Sequence, residues 1–324
     1  MVEMTYGGAI RQALFTAMAA DNDVYVFGED VAKFGGVFGI TKGLYEKFGP
    51  KRVKNTPLSE GAIIGEAIGA ALYGLKPVAE IQFSDFITTA MSPLVDVAAN
   101  YHYRNNASLP LVIRMPSGGG MRIGNFHSKC LEAWFYHVPG LKIVVPSTPR
   151  DAKGMLLAAI NDPDPVLFLE QKRLYYTVKE EVEEEYFEVP LGFARTVRAG
   201  SDLTLVTYGA MVGLGLEASQ EASKQGISVE VIDLRTLTPL DEATLKTSLA
   251  KTHRAILLHE AVKRGGVGGD IASLLMENCF EDLAAPLLRV GAEFCPVPAA
   301  PTLEDAYLPS VEKVLMAIDR VMKY

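Results

Sequence analysis

The sequence predicts an α/β protein made of two doubly wound domains. Three features favour this class: short apolar segments rich in β-branched residues, helical segments between them, and a charged stretch after which the alternation begins again. Such alternation is typical of a parallel sheet with helices on both faces. The length of 324 residues agrees with two domains, because a single core rarely grows so large.

The first predicted domain covers residues 1–178. Its strands are short and bounded by Pro or Gly, and they are predicted at 23–30, 77–83, 109–116, 141–147 and 165–171. Helices are predicted between them, among others at 11–21 and 151–162. The carboxyl ends of such strands share one edge of a sheet, where open α/β proteins bind ligands.

A charged segment at 179–198, which begins KEEVEEEYFEVP, is predicted to be a solvated linker. The second predicted domain covers 199–324 and is a smaller α/β domain. Its strands are predicted at 202–208, 227–234, 254–260 and 286–290, and its helices at 211–225, 267–280 and 311–322.

Composition excludes several classes of protein. The net charge is -8, so no basic patch argues for nucleic-acid binding. No apolar run is long enough to span a bilayer, and the first residues lack the pattern of a signal peptide. The three cysteines, Cys130, Cys279 and Cys295, form no CxxC pair, which indicates reduced thiols. We therefore expect a cytoplasmic protein that binds neither nucleic acid nor membrane.

Two glycine-rich segments, at 207–218 and 264–270, do not match a nucleotide-binding pattern. The first has G-x-x-x-G-x-G spacing, whereas the dinucleotide fingerprint needs G-x-G-x-x-G because each glycine has its own steric role. Both segments are interpreted as structural turns. The chain also lacks the G-x-x-x-x-G-K-S/T, H-E-x-x-H and G-x-S-x-G motifs, which argues against a P-loop protein, a zinc protease and an α/β-hydrolase.

The segment TPLSEGAIIGEAIGAALYGL at 56–75 places Glu60 at the start of a strongly apolar helix, after Ser59. A carboxylate there interacts favourably with the positive end of the helix, so Glu60 can be interpreted as a structural residue. A secluded carboxylate at a strand–helix junction is equally a functional candidate. The same helix has Gly61, Gly65 and Gly69 on one face, which indicates close approach of another helix, either within the chain or in a partner subunit.

The segment SGGGMRIGNFHSKCLEAW at 117–134 is a glycine-rich loop that follows a predicted strand and contains His127. A histidine at the carboxyl end of a sheet lies where α/β proteins place ligands. From this local pattern alone, an ordinary exposed loop histidine is slightly favoured over a functional one.

The segments at 53–86 and 126–156 together resemble the β subunits of the thiamine-diphosphate-dependent pyruvate and branched-chain 2-oxo acid dehydrogenases. The resemblance extends over the whole chain and includes GEDV at 28–31, PVLFLEQKRLY at 165–175 and VIDLRTLTPLD at 231–241. It implies a pyrimidine-binding domain followed by a transketolase-type C-terminal domain.

The resemblance also implies roles for individual residues. Glu60 corresponds to the glutamate that hydrogen-bonds the aminopyrimidine ring of thiamine diphosphate, and Leu58, Gln82 and Phe86 correspond to positions that line this ring. His127 corresponds to the active-site histidine that handles a proton during acyl transfer. Two positions depart from the family pattern. Phe86 replaces a frequent tyrosine, and Lys129 makes the local sequence H-S-K instead of H-S-Q.

Two metal ions are implied by the same resemblance. A structural potassium ion is expected at a set of residues around the end of one helix: Leu111, Ala159, Ile160, Asp162 and Asp164. The Mg²⁺ that holds the diphosphate needs a G-D-G motif followed by asparagine. Here the single Gly-Asp pair, Gly269-Asp270, is followed by Ile271, so the oxygen ligands are expected on an α subunit in an α2β2 assembly.

The implied activity is oxidative decarboxylation of a 2-oxo acid and reductive acylation of lipoyl groups on a dihydrolipoyl acyltransferase core. That core docks through its subunit-binding and lipoyl domains, and an acidic face of the chain is expected to meet the basic subunit-binding domain: Glu277, Glu281, Asp282 and the Tyr324 carboxylate. Alternatives are an acetoin dehydrogenase β subunit, a split transketolase or deoxyxylulose-phosphate synthase, and a catalytically silent assembly subunit. The substrate stays open, because a few methyl groups supply only about 1–3 kcal/mol of discrimination.

Overall fold

The computed structural model describes residues 1–324. The chain forms two compact units, and each is built from two stretches of sequence. The first unit comprises Met1–Ser117 and Trp134–Leu191, and the second comprises Gly118–Ala133 and Gly192–Tyr324. The glycine-rich loop before Trp134 therefore belongs to the second unit, although it interrupts the sequence of the first.

The first unit contains eight strands: β1 (Val2–Thr5), β2 (Val24–Gly28), β3 (Val53–Asn55), β4 (Lys76–Glu80), β5 (Val112–Ser117), β6 (Lys142–Val144), β7 (Val166–Gln171) and β8 (Lys179–Val182). Six of them are parallel neighbours in the order β6-β7-β5-β4-β2-β3. β1 and β8 form a separate antiparallel pair. All five strands predicted for this region are confirmed.

Helices α1 to α6 occupy the first part of the chain: α1 (Tyr6–Ala20), α2 (Leu44–Phe48), α3 (Glu60–Leu72), α4 (Tyr101–Asn105), α5 (Glu132–Tyr136) and α6 (Pro149–Ile160). Shorter helical turns cover Ser84–Ala90, Ser92–Ala98 and Lys172–Leu174. Local sequence fixes where the long helices begin. Thr5 accepts a hydrogen bond from the Gly8 amide at the start of α1, and Thr148 does the same for Asp151 at the start of α6.

The second unit contains β9 (Arg195–Arg198), β10 (Leu203–Thr207), β11 (Val229–Asp233), β12 (Thr236–Thr238), β13 (Ala255–Val262) and β14 (Leu288–Ala292). Its helices are α7 (Met211–Ser223), α8 (Glu242–Thr252), α9 (Val267–Cys279), α10 (Pro301–Tyr307) and α11 (Val311–Met322), with a short turn at Phe280–Asp282. Five strands form a sheet in the order β14-β13-β10-β11-β9, in which only β9 is antiparallel. β14 is therefore an edge strand.

The predicted linker at 179–198 contains β8 and β9, each of which pairs with another strand of its own unit. The three cysteines are free thiols. None of the helices combines the length and apolar character that a bilayer crossing requires.

Candidate active site

Glu60 is the first residue of α3, directly after the loop that follows β3. The preceding Ser59 forms no side-chain cap, so the Glu60 carboxylate is the acidic group at the positive end of this helix. Glu60 is partly exposed, and its Oε2 accepts a hydrogen bond of 2.9 Å from the Thr89 hydroxyl. Thr89 also donates to the Phe86 carbonyl at 3.0 Å, so the carboxylate is tied to the helical turn that carries Phe86.

A second carboxylate, that of Glu29, lies close to Glu60 and was not singled out from the sequence. Glu29 directly follows β2 and is 3% exposed, and neither of its carboxylate oxygens has a hydrogen-bond partner. Burial raises the pKa of Glu29, and the charges of Glu60 and Asp30 raise it further. Asp30 has a left-handed backbone (φ 58), a strained conformation that is common at functional sites.

The other three residues expected around a pyrimidine ring lie at the same carboxyl edge of the sheet. Gln82 follows β4, is partly exposed, and donates to the Asp30 carboxylate at 3.3 Å. The partly exposed Phe86 ring meets Phe83 edge-on, with 5.6 Å between ring centroids. Leu58 is 81% exposed. The result is an open surface with a carboxylate, an amide, an aromatic ring and an uncovered aliphatic side chain.

A buried ion network crosses the strands of the same sheet. Arg114 of β5 is fully buried and donates to Glu80 of β4 at 2.6 Å and to both carboxylate oxygens of Glu170 of β7 at 2.6 and 2.9 Å. The Tyr175 hydroxyl also donates to Glu170, at 2.6 Å. The two carboxylates raise the pKa of Arg114 despite its burial, so the guanidinium stays charged.

The outer face of α3 is open. A Cβ atom added at Gly65 or Gly69 would meet no atom within 4 Å, while Gly61 lies against the Thr89 carbonyl. Leu72 and Tyr73, at the end of this helix, are 48% and 91% exposed. Gly65 and Gly69 therefore pack against no other part of the chain, whereas Gly61 packs against the helical turn Ser84–Ala90.

His127 lies in the loop that belongs to the second unit. The side chain is partly exposed, and its backbone N–H donates to the Gly124 carbonyl at 3.3 Å. The Lys129 ammonium lies 5.8 Å from the centroid of the exposed Phe126 ring. Lys129, which departs from the family pattern and lies two residues after His127, is thus positioned next to the Phe126 ring.

The start of this loop is anchored by two buried glutamates that the sequence did not reveal. Glu260 of β13 accepts the Gly119 amide at 2.5 Å. Glu304 of α10 is fully buried and accepts the amides of Gly120 and Arg122, at 2.9 and 3.2 Å, and the Arg122 guanidinium at 2.9 Å. Charged hydrogen bonds of this kind hold a loop firmly, because the buried carboxylate has no water to replace its donors.

The loop continues into a buried polar cluster. Burial raises the pKa of Glu132, which accepts a hydrogen bond of 2.8 Å from the Tyr208 hydroxyl. The Tyr208 ring stacks near His259, with 6.4 Å between ring centroids. Burial lowers the pKa of His259 to about 4, so this histidine is neutral near pH 7. The cluster therefore places a neutral histidine and the Glu132–Tyr208 hydrogen bond at the base of the loop.

The residues expected around a potassium ion are brought together, but a side-chain cation lies among them. The Lys142 ammonium binds both oxygens of Asp162 at 2.6 and 2.8 Å and lies 3.2 Å from Asp164. His102 also contacts Asp164, at 2.5 Å.

The apolar members of this set are buried and contribute backbone carbonyls. The Leu111 carbonyl accepts the Val166 amide, and the Ala159 carbonyl accepts the Asp162 amide. Ile160 is 4% exposed. Across residues 1–324, no group of three or more His, Cys, Asp or Glu side chains is arranged to hold a metal ion.

Two protein-family models match the chain. The transketolase pyrimidine binding domain matches residues 2–177, and the transketolase C-terminal domain matches residues 192–314. Among solved structures, a split-gene transketolase described as an inactive β4 tetramer has a TM-score of 0.81 and 21% sequence identity, over 99% of this chain and 98% of that one. These matches confirm the predicted fold class.

Curated relatives are similar over the full length of the chain. The 2-oxoisovalerate dehydrogenase subunit beta of Bacillus subtilis is 44% identical over 100% of both chains. The pyruvate dehydrogenase E1 component subunit beta of Acholeplasma laidlawii is 45% identical over 100% of this chain and 99% of that one. An acetoin:2,6-dichlorophenolindophenol oxidoreductase subunit beta of Bacillus subtilis is 44% identical over 95% and 94%. The chain belongs to the family of thiamine-diphosphate-dependent 2-oxo acid dehydrogenase β subunits.

Proposed function

We propose that this β subunit acts with an α subunit in an α2β2 enzyme that decarboxylates a 2-oxo acid and transfers the acyl group to lipoyl groups of a dihydrolipoyl acyltransferase. The observation that carries this proposal is the Glu60 carboxylate. It is partly exposed at the start of α3, accepts a hydrogen bond from the Thr89 hydroxyl, and lies near the buried carboxylate of Glu29. An accessible acid without a cationic partner is suited to proton transfer.

The residues around Glu60 fit the pyrimidine ring of thiamine diphosphate. Glu60 would share a proton with a ring nitrogen, Phe86 offers a partly exposed aromatic face, and Gln82 offers an amide. Leu58 would lose its large exposure by covering the ring. When bound, the cofactor supplies the electron sink that cleavage beside a carbonyl requires.

His127 is proposed as the residue that gives and takes a proton during acyl transfer. Its side chain is partly exposed on a loop whose start is pinned by Glu260 and Glu304. A fixed loop favours this role because general acid–base catalysis depends on a short and reproducible distance to the reacting atom.

The two expected metal ions differ in how well the chain fits them. We propose that the Mg²⁺ ligands are supplied by the α subunit, on the ground that the G-D-G motif and its asparagine are missing from this sequence. The potassium site fits poorly, because the Lys142 ammonium already binds Asp162 and Asp164. We therefore propose that the positive charge there comes from Lys142 rather than from a metal ion.

Two surfaces are proposed to bind partners. The open glycine face of α3 would pack against another subunit, so Gly65→Leu is expected to prevent α2β2 assembly, measured by sedimentation, while both domains remain folded.

The acidic face formed by Glu277, Glu281, Asp282 and the Tyr324 carboxylate would meet the basic subunit-binding domain of the acyltransferase. All are exposed except Asp282, which is partly exposed, so that binding should weaken with salt.

The substrate class is proposed as a short 2-oxo acid, either pyruvate or a branched-chain acid. A second candidate is acetoin, which is supported by the similarity to an acetoin-oxidising β subunit. The free cysteines support a reducing compartment, and we propose the cytoplasm.

Reconstitution tests this proposal. The purified β chain should not turn over any 2-oxo acid alone, and it should do so with its cognate α subunit, thiamine diphosphate and Mg²⁺. A panel of pyruvate, branched-chain 2-oxo acids and acetoin would assign the substrate. Turnover by the β chain alone would refute the shared site, and no turnover by the assembled enzyme on any of them would favour a silent assembly subunit.

A further inference from the structure

A cavity in the second unit lies between the edge strand β14 and helix α11. Its volume is about 720 Å³, and the loop at 263–265 also lines it. α11 contributes Lys313, Met316, Ala317 and Arg320, whose spacing of three, four and seven residues places them on one face of the helix. Sites for small organic ligands typically have volumes of about 300–1,000 Å³.

The cavity is strongly basic, although the chain as a whole is acidic, with a net charge of -8. The cationic residues that line it are Lys263, Arg264, Arg289, Lys313 and Arg320, and the only acidic one is Glu293. So many like charges in one concavity focus a positive potential that attracts anions.

Two of these cations are held in place by the fold. The Lys313 ammonium donates to the carbonyls of Ala306 and Leu308 at 2.7 and 3.1 Å, and lies 3.5 Å from Glu293. Arg289 donates to the Lys263 carbonyl at 3.1 Å. Both side chains are thereby fixed around the cavity.

The other three cations, Lys263, Arg264 and Arg320, are exposed and form no ion pair with a carboxylate of the chain. The Arg264 guanidinium stacks on the Phe294 ring at 4.1 Å from its centroid, which orients it without neutralising it. Burial is the main cause of the lowered pKa of the nearby His259, and the positive charges of Arg289 and Lys263 lower it further. Positive potential therefore persists at this site instead of being cancelled by the protein.

Apolar side chains beside the cations narrow the class of anion. Phe294 is 64% exposed and Met316 is 67% exposed, and both line the cavity. An inorganic ion would leave these side chains uncovered, whereas an organic anion would cover them and gain their apolar surface. Arginine favours phosphate, because its planar donors match two phosphate oxygens.

We propose that this cavity is a binding site for an organic di- or triphosphate. The phosphates would bind Lys263, Arg264 and Arg320, and the organic group would lie against Phe294 and Met316. All of these residues belong to the second unit, and the site does not depend on Glu60 or His127.

Calorimetric titration of the purified full chain with ATP tests the proposal, with inorganic pyrophosphate and adenosine as separate probes. ATP should bind more tightly than pyrophosphate, and adenosine should not bind measurably. Arg264→Gln/Arg320→Gln should weaken ATP binding at least about tenfold. Lys323→Gln is the matched control, because Lys323 immediately follows α11, does not line the cavity, and is paired with Asp319, so binding should stay unchanged.

A second variant tests whether the organic group and the phosphates of the ligand bind at different residues. Phe294→Ala should weaken ATP binding and leave pyrophosphate binding unchanged, and unfolding curves would verify that each variant is folded. The proposal is overturned if ATP does not bind, or if Arg264→Gln/Arg320→Gln binds it as the wild type does. It is also overturned if an oligoglutamate peptide binds in an Arg320-dependent way while ATP does not, since the groove would then take an acidic chain along β14.

Discussion

Two sets of carboxylates lie near the carboxyl edge of the first sheet, and they differ in their partners. Glu80 and Glu170 are buried around a single guanidinium, that of Arg114, and every bond between them is short. Burial and then the nearby charge of Glu60 raise the pKa of Glu29, and no cation pairs with either carboxylate. One set is paired with a cation inside the fold, and the other has no cation.

The comparison shows how to separate structural from chemical acids in this protein. A buried carboxylate with a cation has its desolvation cost offset, so its removal mainly changes stability. A partly exposed carboxylate without a cation, such as Glu60, stays accessible to a ligand with which it could exchange a proton. The first set should therefore respond to mutation mainly in unfolding experiments, and Glu60 in catalytic ones.

The largest expected effect is on stability, in Arg114→Met. This change leaves Glu80 and Glu170 buried without their cation, so the free energy of unfolding should fall by about 3–5 kcal/mol. Urea unfolding followed by circular dichroism measures it. The control is Glu80→Leu/Arg114→Met/Glu170→Leu, which removes all three charges and should recover much of the loss. A loss below about 1 kcal/mol in Arg114→Met would show that the network is not a stabilising unit.

A smaller effect is expected for Glu304→Gln, which disturbs the anchor of the His127 loop. Glutamine keeps one oxygen acceptor. Its side-chain NH2 group, however, would face backbone N–H groups that now donate to the Glu304 carboxylate. Losing such a buried bond costs about 1–3 kcal/mol, so the lipoyl-coupled rate should fall about tenfold or more. Decarboxylation with an artificial electron acceptor should fall less, as it should for His127→Ala.

Asp305→Asn is the matched control for this variant. Asp305 also binds Arg122, at 2.6 Å, but it is exposed, so its ion pair should contribute little. If Asp305→Asn and Glu304→Gln lower the coupled rate equally, burial of the anchor is not what positions the loop.

The smallest effect concerns the pH dependence of Glu29→Gln. Because the folded-state pKa of Glu29 is raised, its contribution to stability is complete below the ordinary pKa of glutamate and is lost as the pH rises through the folded-state value. Glutamine does not titrate. The variant should therefore gain stability relative to wild type as the pH rises above the ordinary pKa of glutamate, and the gain should level off above the raised folded-state pKa. The exposed Glu46→Gln is the control, and a pH profile of Glu29→Gln that runs parallel to that of the wild type would contradict the raised pKa of Glu29.

Most of the fold was predictable from the sequence because its strands and long helices have clear local patterns. The predicted helices at 211–225, 267–280 and 311–322 match α7, α9 and α11 to within two residues. β3 and α8 were not predicted. β3 has only three residues, and α8 has too polar a sequence for its apolar positions to stand out.

The site was only partly predictable, because its supporting contacts join distant parts of the chain. Glu60 and His127 lie in recognisable segments. In contrast, Glu260 and Glu304 meet the loop of Gly119 and Gly120 across 141 and 184 residues, and no local pattern marks such pairs. The placement of Lys142 between Asp162 and Asp164 likewise depends on the parallel register of β6 and β7.

The central claim is that Glu60 transfers a proton and does not merely end a helix, and hydrogen–deuterium exchange at the reactive thiazolium carbon of bound thiamine diphosphate tests it most directly. In Glu60→Gln assembled with the α subunit, exchange should slow by at least about two orders of magnitude, because glutamine cannot relay a proton. Stability should change by only about 0.3–1 kcal/mol, and the cofactor should remain bound. Glu66→Gln, on the same helix but paired with Lys54, should exchange like the wild type. Exchange at the wild-type rate in Glu60→Gln would contradict the claim and leave Glu60 as a helix-end carboxylate.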